Sequence, residues 1–116
     1  MIPSELSVEK INEVYLKIKP YINETPLLKV SEITNSHFST NLFLKYEFFQ
    51  KSGSFKARGA INNVLSQEKE KINKGITAVS AGNHAIAASF VANLFNLKNK
   101  IFLYESANDY RVQTCK

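Results

Sequence analysis

The carboxyl-terminal half of the chain carries two short apolar runs of strand character with a helical segment between them. Residues Ile76–Val79 form a short run that contains β-branched residues, and a second apolar run covers residues 100–104. A helix is predicted between the runs over about residues 83–95. Strand, helix and strand in this order predict a βαβ unit, in which the strands are parallel and the crossover is right-handed. The chain is therefore expected to adopt an α/β fold with a parallel sheet.

The turn between the first of these strands and the helix, residues 80–85, is rich in small residues. Ligands of parallel sheets bind at the carboxyl ends of the strands, which is where Ser80 and His84 would lie. The first N–H groups of a helix lack intrahelical acceptors and can bind an anion. The turn therefore predicts a binding site for an anionic group. His84 is expected to line this turn rather than to act as a catalytic base.

A second loop of small residues, residues 50–60, contains Lys56 between Gly53 and Gly59. Glycine lets a loop approach a ligand closely, and Gly59 is also expected to let a helix pack closely. A lysine that forms a Schiff base must lose its proton, and a partly desolvated loop near backbone dipoles lowers its pKa. Lys56 is therefore a candidate nucleophile. The alternative is an ordinary lysine in the first turn of a helix that runs to about residue 70.

Two further charged residues lie close to this loop in the sequence. Arg58 follows Lys56 by two residues, and Glu47 comes shortly before the loop. Arg58 is expected to form an ion pair with an acid such as Glu47, and a contact with a ligand is the alternative. Arg58 is not predicted to be catalytic.

The patterns in the rest of the chain predict two more helices and two extended segments. Ser7 can cap a first helix that ends near Pro20, and residues 25–28 are expected to be extended because one of them precedes proline. Residues 41–47 favour a strand, and a last helix can begin near residue 106. A parallel sheet is normally covered on both faces, so this ending predicts an incomplete chain.

Composition excludes several classes of protein. The formal net charge of +5 is spread along the whole chain rather than clustered, which argues against a nucleic-acid partner. No apolar run approaches the roughly 20 residues of a membrane span, and the amino terminus lacks the pattern of a signal peptide. Cys115 is the single cysteine, so neither an internal disulfide nor a cysteine-based metal cluster is expected. A soluble cytoplasmic protein is predicted, with His37 on its surface.

The two loops together carry a more specific pattern. Its members in the lysine loop are Gln50, Ser52, Gly53, Ser54, Phe55, Lys56, Arg58, Gly59 and Ala60. This pattern resembles the lysine motif of the type II fold of pyridoxal-phosphate enzymes, and Thr25, Pro26, Leu27 and Glu47 match further positions. The closest likeness is to the threonine and serine dehydratase (ammonia-lyase) group, which includes serine racemase. The resemblance implies a three-layer αβα parallel-sheet fold of the tryptophan synthase β-like class, here incomplete.

The resemblance also implies roles for individual residues. Lys56 would hold pyridoxal 5'-phosphate covalently and would then remove the α proton of the amino-acid substrate. Phe55 would pack beside the cofactor, and Asn83 would hydrogen-bond an oxygen of its ring. The resemblance assigns no metal ligand in this chain. The substrate carboxylate would be bound by Ser80, Gly82, Asn83 and His84.

The implied reaction is the elimination of water and then ammonia from L-threonine or L-serine, giving 2-oxobutyrate or pyruvate. Serine racemases resemble the second turn but carry a serine at the position of Ala81, whereas the turn found here resembles that of bacterial threonine dehydratases. Deamination is therefore predicted over racemisation. A serine racemase, a hydroxyaspartate dehydratase and a non-catalytic fragment that binds a partner remain alternatives.

The likeness covers only the amino-terminal part of the family. Residues 1–73 would belong to the larger domain, and residues 74–116 would begin the smaller one. The family's glycine-rich loop for the cofactor phosphate would lie outside the chain, so weak cofactor binding is expected. Tyr104 and Arg111 depart from the family pattern, and neither is expected to touch the site. The resemblance implies a homo-oligomer for the full-length enzyme.

Overall fold

The computed structural model describes residues 6–33 and 41–115. The expectations for His37 and for the extreme amino terminus concern residues outside these ranges. Six α-helices are formed in the described ranges: α1 (Val8–Ile18), α2 (Val30–Ile33), α3 (Lys56–Leu65), α4 (Lys69–Ile72), α5 (Asn83–Leu94) and α6 (Asp109–Thr114). Four strands are described with them: β1 (Leu27–Lys29), β2 (Phe43–Lys45), β3 (Ile76–Val79) and β4 (Asn99–Phe102).

The predicted βαβ unit is confirmed by β3, α5 and β4. Strands β3 and β4 are parallel, with Ile76 opposite Asn99 and Val79 opposite Phe102. Helix α5 packs on this pair and connects the two strands. The carboxyl end of β3 therefore lies directly before the amino-terminal end of α5, as the sequence predicts.

The other two strands form a separate antiparallel pair. Leu27 of β1 lies opposite Lys45 of β2, and Lys29 lies opposite Phe43. The backbone N–H of Tyr46 also donates to the carbonyl of Pro26, which extends the pairing by one hydrogen bond. This pair holds the chain that leads into the lysine loop beside residues 23–26.

The apolar core lies where α1, α3 and α5 meet. Its buried members are Ile18, Ala57, Ile61, Val64 and Val91. Helix α5 is rich in buried small residues, which lets it fit between α3 and the β3–β4 pair. The predicted division into residues 1–73 and 74–116 stays a prediction. Val91, which follows the predicted boundary, belongs to the same buried cluster as residues that precede the boundary.

Two helix boundaries show how the sequence acts locally. Ser7 caps α1 as predicted, since its side chain accepts a hydrogen bond from the Lys10 amide at 3.2 Å. The predicted helix to residue 70 instead ends at Leu65, and α4 is a separate short helix. The Ser66 hydroxyl donates to the Asn62 carbonyl at 2.7 Å, an interaction that competes with continuation of the helix.

No described helix is both long and apolar enough to cross a membrane. Nor do three or more His, Cys, Asp or Glu side chains come together in the described ranges in a way that could hold a metal ion.

Candidate functional site

A cleft of about 490 Å³ lies between α3, β3 and α5. Three of the predicted site residues line it together: Phe55 and Lys56 at the beginning of α3, and His84 in the first turn of α5. The rest of its wall is mainly apolar or small, with Gly59, Ala60, Asn63, Val64, Ile76, Thr77, Ala78, Ala88 and Val91. The fold therefore brings the lysine loop and the second turn to one concave surface, although they are distant in the sequence.

Lys56 is the first residue of α3, directly after a tight loop. The loop turns at Gly53, whose φ of +70° is a conformation that favours glycine, and the Gly53 amide donates to the Gln50 carbonyl at 2.7 Å. The ammonium nitrogen of Lys56 lies 4.9 Å from the centroid of the Phe55 ring. Both side chains are exposed at the cleft, so the described residues do not supply the desolvation expected from the sequence.

The turn after β3 is held by its own hydrogen bonds. The Ser80 hydroxyl accepts from the Gly82 amide at 3.2 Å, and the Gly82 carbonyl accepts from the Ala85 amide at 3.0 Å. The Gly82 amide is therefore already paired, whereas Asn83 and His84 lie in the first turn of α5, where helix N–H groups have no intrahelical acceptor. Ser80, Gly82 and Asn83 do not line the cleft, although Asn83 directly precedes His84, which does.

Arg111 corrects one expectation from the sequence. Its guanidinium donates to the carbonyl of Ala81 at 3.0 Å, so α6 contacts the backbone of the candidate substrate turn. The expectation that this residue stays clear of the site is wrong. The side chain reaches the turn across 30 positions of sequence, and no local pattern could reveal such a contact.

The ion pair between Arg58 and Glu47 is confirmed. Two guanidinium nitrogens of Arg58 each lie 2.8 Å from a different oxygen of the Glu47 carboxylate. The Thr25 hydroxyl also donates to this carboxylate at 2.5 Å. The hydrogen bond from Arg58 is the largest cause that lowers the pKa of Glu47, and the Thr25 bond lowers it further against the effect of burial.

Gln50 forms a second connection that the sequence did not reveal. Its side-chain oxygen accepts from the Asn23 amide at 2.8 Å, and its side-chain nitrogen donates to the Asn23 carbonyl at 2.9 Å. The Asn23 side chain donates to the Phe49 carbonyl at 2.9 Å. Gln50 is buried, and a buried amide needs such partners. Only its place in the matched motif singled it out in the sequence.

The expectation that Gly59 allows close helix packing is wrong. Outside the backbone of its own helix, a Cβ placed on Gly59 would meet no heavy atom of the described residues within 4 Å. Gly59 instead lines the cleft, together with Ala60, Ala78 and Ala88. Small residues on an apolar wall beside an amine leave room for a flat ring such as that of pyridoxal phosphate. The residues present therefore fit this cofactor, with Lys56 able to bind it covalently.

Comparisons with known proteins identify the family to which the chain is similar. A family model described as "Pyridoxal-phosphate dependent enzyme" matches residues 18–116. Members of this family depend on pyridoxal phosphate, so the predicted cofactor is confirmed for the family. The match includes both candidate loops.

Similar proteins include two enzymes with different reactions. The chain is 40% identical to the catabolic L-threonine dehydratase TdcB of Staphylococcus aureus over 96% of its length and 32% of that protein. It is 43% identical to serine racemase of Arabidopsis thaliana over 88% of its length and 30% of that protein. The chain thus spans about a third of the length of these relatives.

Solved structures resemble the fold described above. Maize serine racemase superposes with a TM-score of 0.83 and 33% identity over 94% of this chain and 33% of that one. The predicted tryptophan synthase β-like fold class is confirmed, in a partial α/β form. The prediction that the likeness covers only part of the family's length is also confirmed.

Proposed function

The chain belongs to the family of pyridoxal-phosphate-dependent enzymes, and we propose that it forms part of a dehydratase that deaminates L-threonine or L-serine. In this proposal residues 1–73 begin the larger domain and residues 74–116 begin the smaller one. The full-length enzyme would be a cytoplasmic homo-oligomer.

The observation that carries the proposal is the position of Lys56 at the cleft. Its amine shares the cleft with Phe55 from the same loop and with His84 from the second turn. A Schiff base requires an accessible amine, and Lys56 is exposed at the cleft. When bound there, the cofactor would supply an electron sink for loss of the α proton of an amino acid.

Each predicted residue has a role in this proposal. Lys56 would hold the cofactor through its amine, and the same nitrogen would take the α proton of the substrate. Phe55 would stack beside the cofactor ring, and Asn83 would hydrogen-bond its ring oxygen. The substrate carboxylate would lie at the positive end of α5, against Ser80, Gly82, Asn83 and His84. The Gly82 amide could bind the carboxylate only if it gave up its hydrogen bond to the Ser80 hydroxyl.

Deamination is proposed over racemisation because of Ala81. Racemisation requires a second proton-transfer group on the opposite face of the substrate, and alanine has no titratable or hydroxyl hydrogen to offer. Ala81 is 6% exposed, and its carbonyl is engaged by Arg111. The chain is similar to a dehydratase and to a racemase at comparable sequence identity. Analysis of the reaction products therefore has to distinguish the two reactions.

The first experiment tests the cofactor site. The chain is incubated with pyridoxal phosphate in amine-free buffer and reduced with borohydride, and each labelled lysine is then identified by peptide mass spectrometry. Lys56 is expected to carry more label than any of the other twelve lysines. Lys51→Ala is the matched control, because Lys51 belongs to the same loop but does not line this cleft. Label spread evenly over the lysines would overturn the proposal.

The second experiment tests the reaction class. The chain with pyridoxal phosphate is given L-threonine or L-serine, and 2-oxobutyrate, pyruvate and D-serine are measured separately. Keto acid without D-serine, absent in Lys56→Ala and retained in Lys51→Ala, supports the dehydratase. D-Serine without keto acid would support a racemase. Selective labelling of Lys56 without either product would support a cofactor-binding chain that is not catalytic by itself.

A further inference from the structure

We propose that two clamps on one segment, Asn23 to Thr25, position the loop that carries Lys56 and thereby aim its amine into the cleft. The inference rests on the proposed function, since it concerns the lysine assigned there to the cofactor. Gln50 forms the first clamp, at the start of the loop, and Arg58 forms the second, just after Lys56.

The first clamp is a pair of hydrogen bonds between a side-chain amide and a backbone. Gln50 accepts from the Asn23 amide at 2.8 Å and donates to the Asn23 carbonyl at 2.9 Å. The same Gln50 oxygen accepts from the Lys51 amide at 3.1 Å, so the first peptide of the loop is tied in as well. Gln50 is only 3% exposed, which shields these bonds from competing water.

The second clamp is a bidentate ion pair with a hydroxyl attached. Arg58 binds both oxygens of Glu47, each at 2.8 Å, and lies 3.4 Å from the Thr25 hydroxyl. The Arg58 and Glu47 side chains are 26% and 17% exposed. A planar guanidinium bound through two nitrogens fixes orientation as well as distance. Lys45 adds a donor to the Thr25 carbonyl at 2.6 Å.

Lys56 itself has few restraints. Its amine lies over the Phe55 ring, and it has no hydrogen-bond or ion-pair partner among the residues that the structure describes. Phe55 is 57% exposed and moves with the same loop. The direction of the amine is therefore set by the backbone of the first turn of α3. That turn is held on one side by Gln50 and on the other by Arg58, whose amide also donates to the Phe55 carbonyl at 3.1 Å.

The geometry assigns Gln50, Glu47, Arg58 and Thr25 as positioning residues, because none of them bears the reacting amine. Reaction of an amine with an aldehyde held in a cleft depends steeply on alignment, and a displacement of about 1 Å can cost two orders of magnitude. Loosening a clamp should therefore lower the selectivity for Lys56 far more than it lowers general lysine reactivity.

The test uses the 116-residue chain and two mild variants, Arg58→Lys and Glu47→Gln. Arg58→Lys keeps the positive charge but loses the planar guanidinium that binds both carboxylate oxygens. Glu47→Gln keeps the shape of the side chain but loses its negative charge. Glu13→Gln is the matched control, since it removes an exposed ion pair with Lys10 on α1. The readout is the ratio of pyridoxal-phosphate label on Lys56 to label on Lys51 after borohydride reduction. Only protein shown to be folded by urea denaturation is compared.

The ratio is expected to fall roughly tenfold in Arg58→Lys and in Glu47→Gln, and to stay at the wild-type value in Glu13→Gln. The double variant should lose no more than either single variant, because both break the same clamp. In the cofactor-free chain, amide hydrogen exchange over residues 50–58 should be faster in both variants, with exchange in α5 unchanged. These last measurements do not depend on cofactor binding.

Two results separate the possible failures. A wild-type chain that labels Lys56 selectively, with the same ratio in both folded variants, would overturn the clamps and leave the proposed function standing. A wild-type chain with no selectivity for Lys56 would overturn the proposed function and the inference together. If Arg58→Lys does not fold, Thr25→Ser and Thr25→Val make the comparison: Ser should keep the ratio and Val should lower it.

Discussion

Replacement of Gly59 by alanine should stabilise the protein and weaken the site at the same time. Gly59 lies inside α3, where glycine costs about 0.5–1 kcal/mol relative to alanine. The new Cβ would meet no heavy atom within 4 Å among the described residues outside its own helix backbone, so no steric term opposes this gain. The free energy of unfolding should therefore rise by about 0.5–1 kcal/mol, measured by urea denaturation with circular dichroism.

Gly75 provides the matched control for the same chemical change. Its φ is +98°, and a Cβ there would lie 2.5 Å from the Lys98 carbonyl oxygen. Gly75→Ala should therefore lower the free energy of unfolding by at least about 1–3 kcal/mol. A loss of stability in Gly59→Ala, or no loss in Gly75→Ala, would refute the reasoning from local geometry.

The effect of Gly59→Ala on the cleft should have the opposite sign. Gly59 lines the cleft beside Lys56, so the added methyl group takes space from any ring bound there. Reductive labelling of Lys56 by pyridoxal phosphate should fall while the chain becomes more stable. A stabilised variant with unchanged labelling would show that the cofactor does not lie against this turn of α3.

Three more predictions concern the contacts around the site. Hydrogen bonds from Arg58 lower the pKa of Glu47 from its ordinary 4.5, so the folded chain binds fewer protons there and loses this stability as pH falls below about 4.5. Glu47→Gln should cost about 1.5–3 kcal/mol near neutral pH and progressively less toward the lowered pKa; a constant difference in urea denaturation would contradict this. The Ser54 hydroxyl is buried with no partner in the described ranges, so Ser54→Ala should leave the free energy of unfolding unchanged or raise it by up to about 1 kcal/mol. Arg111→Met removes the donor to Ala81 and should speed amide exchange over residues 80–84 but not in α3, as followed by mass spectrometry.

Much of the fold follows from local sequence patterns. The βαβ unit was predicted with its first strand at the observed residues, and α5 ends within one residue of its expected end. The cap at Ser7 and the turn at Gly53 were also predictable, because each depends on the chemistry of one residue and its near neighbours. The prediction that this helix runs to about residue 70 missed its end at Leu65, where the Ser66 hydroxyl turns back to the Asn62 carbonyl.

The residues of the candidate site could be predicted from the sequence, but their arrangement in space could not. Lys56, Phe55 and the turn from Ser80 to His84 could be identified from residue type, spacing and family resemblance. How these residues are arranged in space could not be predicted, since His84 lines the cleft while Ser80, Gly82 and Asn83 do not. Which glycine faces a cleft and which allows close packing also depends on neighbours from other elements, and this reversed the expectation for Gly59.

The sequence by itself determined the βαβ unit, the loop that presents Lys56, and the family. These features depend on backbone preferences and side-chain periodicity within a few residues. The tertiary structure alone decided how that loop is held. Gln50 reaches Asn23 across 27 positions, and Arg58 reaches Thr25 across 33. Such contacts exist only after α1, the β1–β2 pair and α3 have packed, because packing brings distant polar groups together where water competes weakly for them.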